Sequence, residues 1–247
     1  MTTPGSRCVI LVPVGGSVDT ACEDGLRELE RRGYPVWRVP GYSAIDAARN
    51  QIATDALAKG FDELMWIDSD VVFDPNDVEK LRAHNLPLVG GIYAKKSRRE
   101  FACAFLPETR EVVFGPNGKL TEVLFCGFGF VLTRRAVYEV MQQRLRLPVC
   151  NQRFGSPLVP YFTPLVFQDD EGAWYLSEDY AFCARARSCG FPFMADPTIR
   201  LWHVGTYRFG WEDAGSTAER FAHYTFCIPA KSPPNDVALN SGDKIRA

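Results

Sequence analysis

The sequence predicts an α/β fold built on a parallel sheet. Short β-branched apolar runs alternate with stretches of helical period, brief glycine-closed connections join them, and the third apolar run ends on an acidic triplet, Asp68-Ser69-Asp70. Parallel pairing follows because a chain that alternates strand and helix crosses back over the sheet before each new strand.

Cys8 to Val12 (CVILV) reads as a buried strand running into a loop at Pro13, Gly15 and Gly16. A helix follows, with Cys22, Leu26 and Leu29 on one stripe and Gly33 as its stop. Val36 to Val39 is a second strand. Ser43 with Asp46 resembles a capping box, opening a helix that carries Ile45, Ala48, Ile52 and Ala56 and stops at Gly60. Leu64 to Ile67 (LMWI) is the third strand. Ligands of such sheets bind beyond the carboxyl ends of strands, which is where Asp68-Ser69-Asp70 falls.

Further along, Asp74-Pro75-Asn76-Asp77 reads as a helix start and Leu86 to Tyr93 as a strand. Residues 101–133 hold short β-rich runs separated by turns such as Gly115-Pro116-Asn117-Gly118, which predicts a mixed or antiparallel section. Arg134 to Leu145 is expected to be helical. Residues 146–173, with prolines at 148, 157, 160 and 164, are expected to form a long surface loop. Ser177 to Cys189 reads as a helix capped by Ser177 and ended by Gly190. Phe193 to Ala195 and Ile199 to His203 are candidate closing strands.

The 247 residues carry 28 Lys+Arg against 30 Asp+Glu, a net charge of −2, which argues against a broad electrostatic grip on nucleic acid or an anionic membrane. The eight cysteines form no C-x-x-C or finger-like spacing, and none of the seven asparagines begins an N-x-S/T sequon. No leader-like apolar segment follows the first residues and no run reaches transmembrane length. The expectation is a reduced, cytoplasmic protein without a transmembrane segment.

Asp68 and Asp70, two apart on extended chain, point to the same side, and such a pair suits either a hard divalent cation or a solvated turn. Glu178-Asp179 opens a helix, where acids also complement the macrodipole. His203, in LWHVG, is a metal ligand or a satisfied half-buried imidazole. Arg49 is suited to a diphosphate, the alternative being a helix-surface ion pair with Asp46. The run Lys95, Lys96, Arg98, Arg99 reads as a solvated loop or as a holder of a phosphorylated ligand. Gly127 and Gly129 would allow backbone to approach a ligand closely, and Cys126 between aromatic residues reads as a buried thiol. His84 and His223 are read as structural. No dinucleotide fingerprint, P-loop or G-x-S-x-G elbow is present.

The ordered set made of DAARNQIATDALAKGFDELMWIDSDVVFDPNDVEKL, FCGFGF, SEDY and LWHVG resembles a GT-A fold, nucleotide-sugar-dependent glycosyltransferase containing a D-x-D motif, over about residues 7–206. The resemblance implies a Rossmann-like three-layer α/β/α domain with a mixed central sheet, expected to occupy residues 1–228, while the polar, turn-rich end of the chain predicts a flexible tail over 229–247. It implies Mn²⁺ or Mg²⁺ held by Asp68, Asp70 and His203, and a UDP- or GDP-sugar donor bordered by Pro13, Val14, Asp46, Arg49, Asp68, Ser69 and Gly127. Asp179, beside Glu178, would be the base of an inverting transfer to a hydroxyl acceptor. Two other readings stand beside it. A sugar-nucleotide-forming nucleotidyltransferase would be expected to carry a basic loop after the first strand, and VPVGGSVDTACEDG has neither Lys nor Arg. A non-catalytic carbohydrate- or partner-binding module on the same fold would not need Asp68, Asp70, Asp179 and His203 together.

Overall fold

The computed structural model of the chain describes residues 7–96, 100–170, 172–205, 207–214 and 224–228. Its strands are β1 Cys8–Val14, β2 Val36–Pro40, β3 Glu63–Ile67, β4 Val71–Val72, β5 Leu88–Gly91, β6 Cys103–Phe105, β7 Glu111–Phe114, β8 Thr121–Cys126, β9 Phe130–Arg134, β10 Leu165–Asp169, β11 Gly172–Leu176, β12 Phe193–Asp196, β13 Trp202–Val204, β14 Arg208–Phe209 and β15 Tyr224–Cys227. The α-helices are α1 Thr20–Arg31, α2 Ile45–Ala58, α3 Asn76–Ala83, α4 Arg135–Arg144 and α5 Glu178–Ser188.

Eight strands form the central sheet in the order β2-β1-β3-β9-β5-β12-β8-β6. β1 lies parallel to β2 and β3, whereas β9 runs antiparallel between β3 and β5, and β8 is antiparallel to β12 and β6. The sheet is therefore mixed. Alternation along the strands divides the core. Val9, Leu11, Leu64 and Trp66 pack on one face against Ala48, Ile52 and Ala56 of α2, Tyr138 of α4 and Phe182 of α5. Cys8, Ile10, Met65 and Ile67 pack on the other against Cys22, Leu26 and Leu29 of α1 and Val78 and Leu81 of α3. The three α/β/α layers expected from the sequence follow from this division.

The glycines expected to stop α1, α2 and α5, Gly33, Gly60 and Gly190, sit at φ of 90°, 86° and 91°. The caps differ from expectation. Ala44, not Ser43, is the residue before α2 and gives it no side-chain bond, while α1 is capped by Asp19, whose Oδ1 accepts from Ala21 N at 2.9 Å. Ser177 stands at the start of α5 but caps no backbone amide, because its hydroxyl is engaged by Asp179 Oδ1 at 2.7 Å.

The segment 146–173 is not a surface loop throughout. Val159, Tyr161 and Phe162 are buried, and β10 pairs antiparallel with β11 as a hairpin. α2 holds this segment down by polar groups. Asn50 Oδ1 accepts from Phe162 N at 2.7 Å, and Thr54 Oγ1 accepts from Val159 N at 2.9 Å. Phe162 then stacks on Phe182 with ring centroids 4.5 Å apart. Of the second candidate closing strand only Trp202–Val204 is extended. It leaves the main sheet to pair antiparallel with β4, placing His203 opposite Val71. All eight cysteines are free thiols. Among the described residues no helix is long and apolar enough to cross a membrane. Arg98, Arg99, His223 and the expected tail 229–247 lie outside the described residues.

Candidate active site

A polar cavity of about 240 Å³ lies at the carboxyl ends of β1 and β3 and is lined by Pro13, Gly15, Ile45, Arg49, Asp68, Ser69, Asp70, Glu178, Asp179 and His203. Three of the four sequence motifs, those holding Asp68 and Asp70, Glu178 and Asp179, and His203, thus meet at one place. β3 delivers Asp68 and Asp70, α5 brings Glu178 and Asp179 in its first turn, and the β13–β4 pairing brings His203. That last placement is fixed by the backbone, since Val204 N donates to Asp70 O at 2.7 Å.

Arg49 turns inward from α2. Its side chain is 3% exposed, Nη2 donates to Asp68 Oδ1 at 2.8 Å, and Nε lies 3.7 Å from Glu178 Oε1. The expected alternative, a surface pair with Asp46, does not form. Asp46 stays half-buried in the first turn of α2 and does not line the cavity. The guanidinium lies near the Trp66 and Phe128 rings, 5.6 and 5.7 Å from their centroids. Burial would lower its affinity for a proton, but the charges of Asp68, Glu178 and Asp179 raise it, so it stays cationic. Its Nε and Nη1 are buried without a hydrogen-bond acceptor among the described residues. Two buried donors without an acceptor, on a cationic side chain that lines this cavity, suit an anionic ligand.

Asp70 is flanked by Lys96 Nζ and by His203 Nε2, the latter 3.6 Å from Asp70 Oδ1. Burial alone would raise the Asp70 carboxyl, yet His203 and Lys96 hold it below the usual carboxylate range. His203 Nδ1 lies 2.9 Å from Ala94 O. A carbonyl only accepts, so Nδ1 carries a proton, and Nε2 is the ring nitrogen turned toward Asp70. With its Nε2 free of a proton, such a ring and the Asp70 carboxylate would offer a cation two donors, the ring being oriented by its other nitrogen. Among the described residues no three His, Cys, Asp or Glu side chains gather into a complete shell. The expected set of Asp68, Asp70 and His203 is divided because Arg49 takes Asp68. What remains fits an ion that draws its other ligands from phosphate oxygens and water.

Glu178 behaves in the opposite way to Asp70. Burial first, then the adjacent Asp179 charge, push its carboxyl above the ordinary value, and Arg49 offsets this only in part. Asp179 receives Ser177 Oγ at 2.7 Å and Tyr180 N at 2.8 Å, both on Oδ1, which fixes the carboxylate plane.

Gly127 and Val14 do not line the cavity. A Cβ at Gly127 would come 2.5 Å from Tyr93 Oη, and one at Gly129 2.7 Å from the same atom, so these glycines make room for Tyr93. Tyr93 Oη accepts from Gly129 N at 3.0 Å, and its ring meets the His203 ring edge-on at 5.1 Å. Tyr93 thereby ties the glycine loop to the histidine. Its only sequence signal is the glycine pair that accommodates it. Cys126 is buried, and burial drives its thiol far above the range of a reactive thiolate, as expected for a packed residue. His84 is structural, with Nε2 2.8 Å from Asp196 Oδ2.

The chain matches no protein-family model and no curated protein sequence. Its structure is similar to that of A197 from STIV, 21% identical over 80% of this chain and 85% of that one, with a TM-score of 0.51. Looser similarity extends to a glycosyltransferase involved in the glycosylation of the major capsid of PBCV-1 (16% identity, 54% and 62% of the chains, TM-score 0.30). It extends also to mannose-1-phosphate geranyltransferase from Thermus thermophilus (12% identity, 79% and 75%, TM-score 0.42). The two transferases resemble the chain too loosely for their activities to bear on it. The chain shares with A197 from STIV a fold, a mixed α/β sheet covered by helices.

Proposed function

We propose that the chain is a metal-dependent glycosyltransferase that moves a sugar from a UDP- or GDP-linked donor to a hydroxyl acceptor with inversion. One observation carries this reading: a single cavity beyond the ends of β1 and β3 joins a charge-matched pair, Asp68 with Arg49 and Asp70 with Lys96, to a second acidic pair, Glu178 and Asp179. In the reaction the acceptor oxygen bonds to the anomeric carbon while the bond from that carbon to the diphosphate oxygen breaks. The bonding electrons leave with the diphosphate, and the acceptor proton passes to Asp179. Negative charge grows on the leaving group, where Arg49 and Lys96 supply fixed positive charge. Mn²⁺ or Mg²⁺, held by Asp70 and His203, would neutralise the same diphosphate. Ser177 and the Tyr180 amide hold Asp179 in one orientation, so the base is set before the acceptor arrives.

The test is a panel of UDP-, GDP- and dTDP-sugars, read by thermal shift and by nucleoside diphosphate release with and without Mn²⁺. Metal-dependent binding with diphosphate release is expected. Release of pyrophosphate from a nucleoside triphosphate and a sugar phosphate would replace this reading with nucleotidyl transfer, and no binding at all would end both.

A further inference from the structure

A second cavity, of about 780 Å³, lies on the other side of the α5 start and is lined by residues that include Leu106, Phe125, Phe167, Trp174, Tyr180 and Phe226. It is more than three times the volume of the polar cavity, and among the described residues Arg110 and Asp170 are its only charged lining groups. Its size falls in the range of about 300 to 1,000 Å³ that holds a whole organic ligand. The start of α5 borders both cavities, Asp179 lining the polar one and Tyr180 the apolar one. Tyr180 follows Asp179 directly, and its ring stacks on Phe125 with centroids 5.1 Å apart. Leu176, which also lines the cavity, stands three residues before Asp179.

The hairpin of β10 and β11 carries the apolar surface outward. Phe167 and Trp174 are cross-strand partners, 39% and 46% exposed, and the next pair, Val166 and Tyr175, is 69% and 74% exposed. Four large apolar side chains at that exposure on one short hairpin are more than scattered surface residues, and such patches mark binding surfaces.

We infer that this cavity holds the apolar part of the acceptor: the acceptor is lipid-like, a hydroxyl-bearing head placed at Asp179 and a flexible hydrocarbon chain lying along Phe125 and Tyr180 toward the hairpin. The inference rests on the glycosyl-transfer reading for its name of acceptor, while the cavity's preference for a hydrocarbon chain stands on its lining. A chain suits the space better than a single flat ring, because the apolar wall runs from the α5 start to the exposed hairpin. A purely hydrophilic acceptor would leave that wall against water, which is unfavourable in proportion to its area.

The experiment uses n-alkyl β-D-glucosides from methyl to decyl, below their micellar concentrations. Binding is read by tryptophan fluorescence and, with the donor found in the panel, by the KM for transfer. Affinity is expected to rise about two- to fourfold per added methylene over the middle of the series. Trp174→Ala and Leu106→Glu should each flatten that dependence, with nucleoside diphosphate affinity checking that the variants fold. Chain-length-dependent binding without transfer would keep the cavity assignment and remove the glycosyl-transfer reading. Transfer to methyl glucoside as efficient as to decyl glucoside would keep the reading and overturn the inference. The absence of chain-length dependence in binding overturns it as well.

Discussion

Two acidic pairs face the polar cavity, and the surroundings push one member of each, Asp70 and Glu178, in opposite directions. Asp68 and Asp70 each meet a cation, Arg49 Nη2 at 2.8 Å from Asp68 and Lys96 on Asp70. Glu178 reaches Arg49 only at 3.7 Å and stands next to Asp179 in the chain. Burial acts to raise both Asp70 and Glu178, yet Asp70 ends below the ordinary carboxylate value and Glu178 above it. Neighbouring charge, rather than depth, therefore decides. Asp70 is thereby favoured as a carboxylate beside its cations and Glu178 as a carboxyl that holds a proton, a divergence within one site of the kind that marks candidate acid–base chemistry.

The largest effect is expected where that division is broken at the base. Asp179→Asn keeps the hydrogen-bonding shape but cannot accept the acceptor proton, so transfer should fall about 10²- to 10⁴-fold. Donor affinity should change little. Near-normal turnover in a folded variant would return Asp179 to helix complementation, and a product of retained anomeric configuration, read by NMR coupling constants, would exclude single displacement.

Arg49 serves both pairs, so Arg49→Met leaves Asp68 and Glu178 facing one another without their shared cation. A loss of about 3 kcal/mol in chemical denaturation is expected, the scale for removing one partner of a buried pair. Arg49→Lys should recover part of it, because charge returns without the planar fork. Equal stability of Arg49→Met and wild type would show that the acids do not depend on this guanidinium.

Metal binding tests the first pair alone. Asp70→Ala should abolish the dependence of nucleoside diphosphate affinity on Mn²⁺, measured by calorimetry with and without EDTA, and His203→Ala should weaken Mn²⁺ binding by about 10- to 100-fold. An unchanged metal titration in both would leave His203 as a partner of Ala94 and Tyr93 only.

A carboxylate outside the cavity provides the control and the smallest effect. Burial raises Asp196, but hydrogen bonds from Thr198 and His84 bring it below its ordinary 3.8. A carboxyl depressed by folding stabilises above its unfolded value and loses that contribution as pH falls through the folded one. The stability difference between wild type and Asp196→Asn should therefore shrink as pH drops below 3.8. A difference independent of pH across that interval would mean that the side chain's shape, not its charge, matters.

Much of the fold was legible because its signals are local. The runs CVILV and LMWI, the stripe Cys22, Leu26, Leu29, and the stops at Gly33, Gly60 and Gly190 each record a period or a backbone conformation within a few residues, and the structure keeps all of them. The position of Asp68 and Asp70 at a strand end was equally readable. Residues 159–176 were not, since what orders them is a set of partners far away in sequence, such as Asn50 for Phe162 across 112 positions. Prolines marked the segment as irregular without revealing that α2 and Phe182 would bury its middle.

By itself the sequence determined the first strands and helices and their glycine stops, and which side chains have the chemistry to bind a cation or accept a proton. Tertiary structure decided how those side chains are paired. Asp46 is three residues from Arg49 and lies on the same helix, but Arg49 is turned into the core, where Asp68, 19 positions away, and Glu178 meet its charge. His203 faces Asp70 because β13 pairs with β4, and its ring is oriented by Ala94, 109 positions away. A buried charge must find a partner wherever the folded chain supplies one, and that requirement acts through space, beyond the reach of any local pattern.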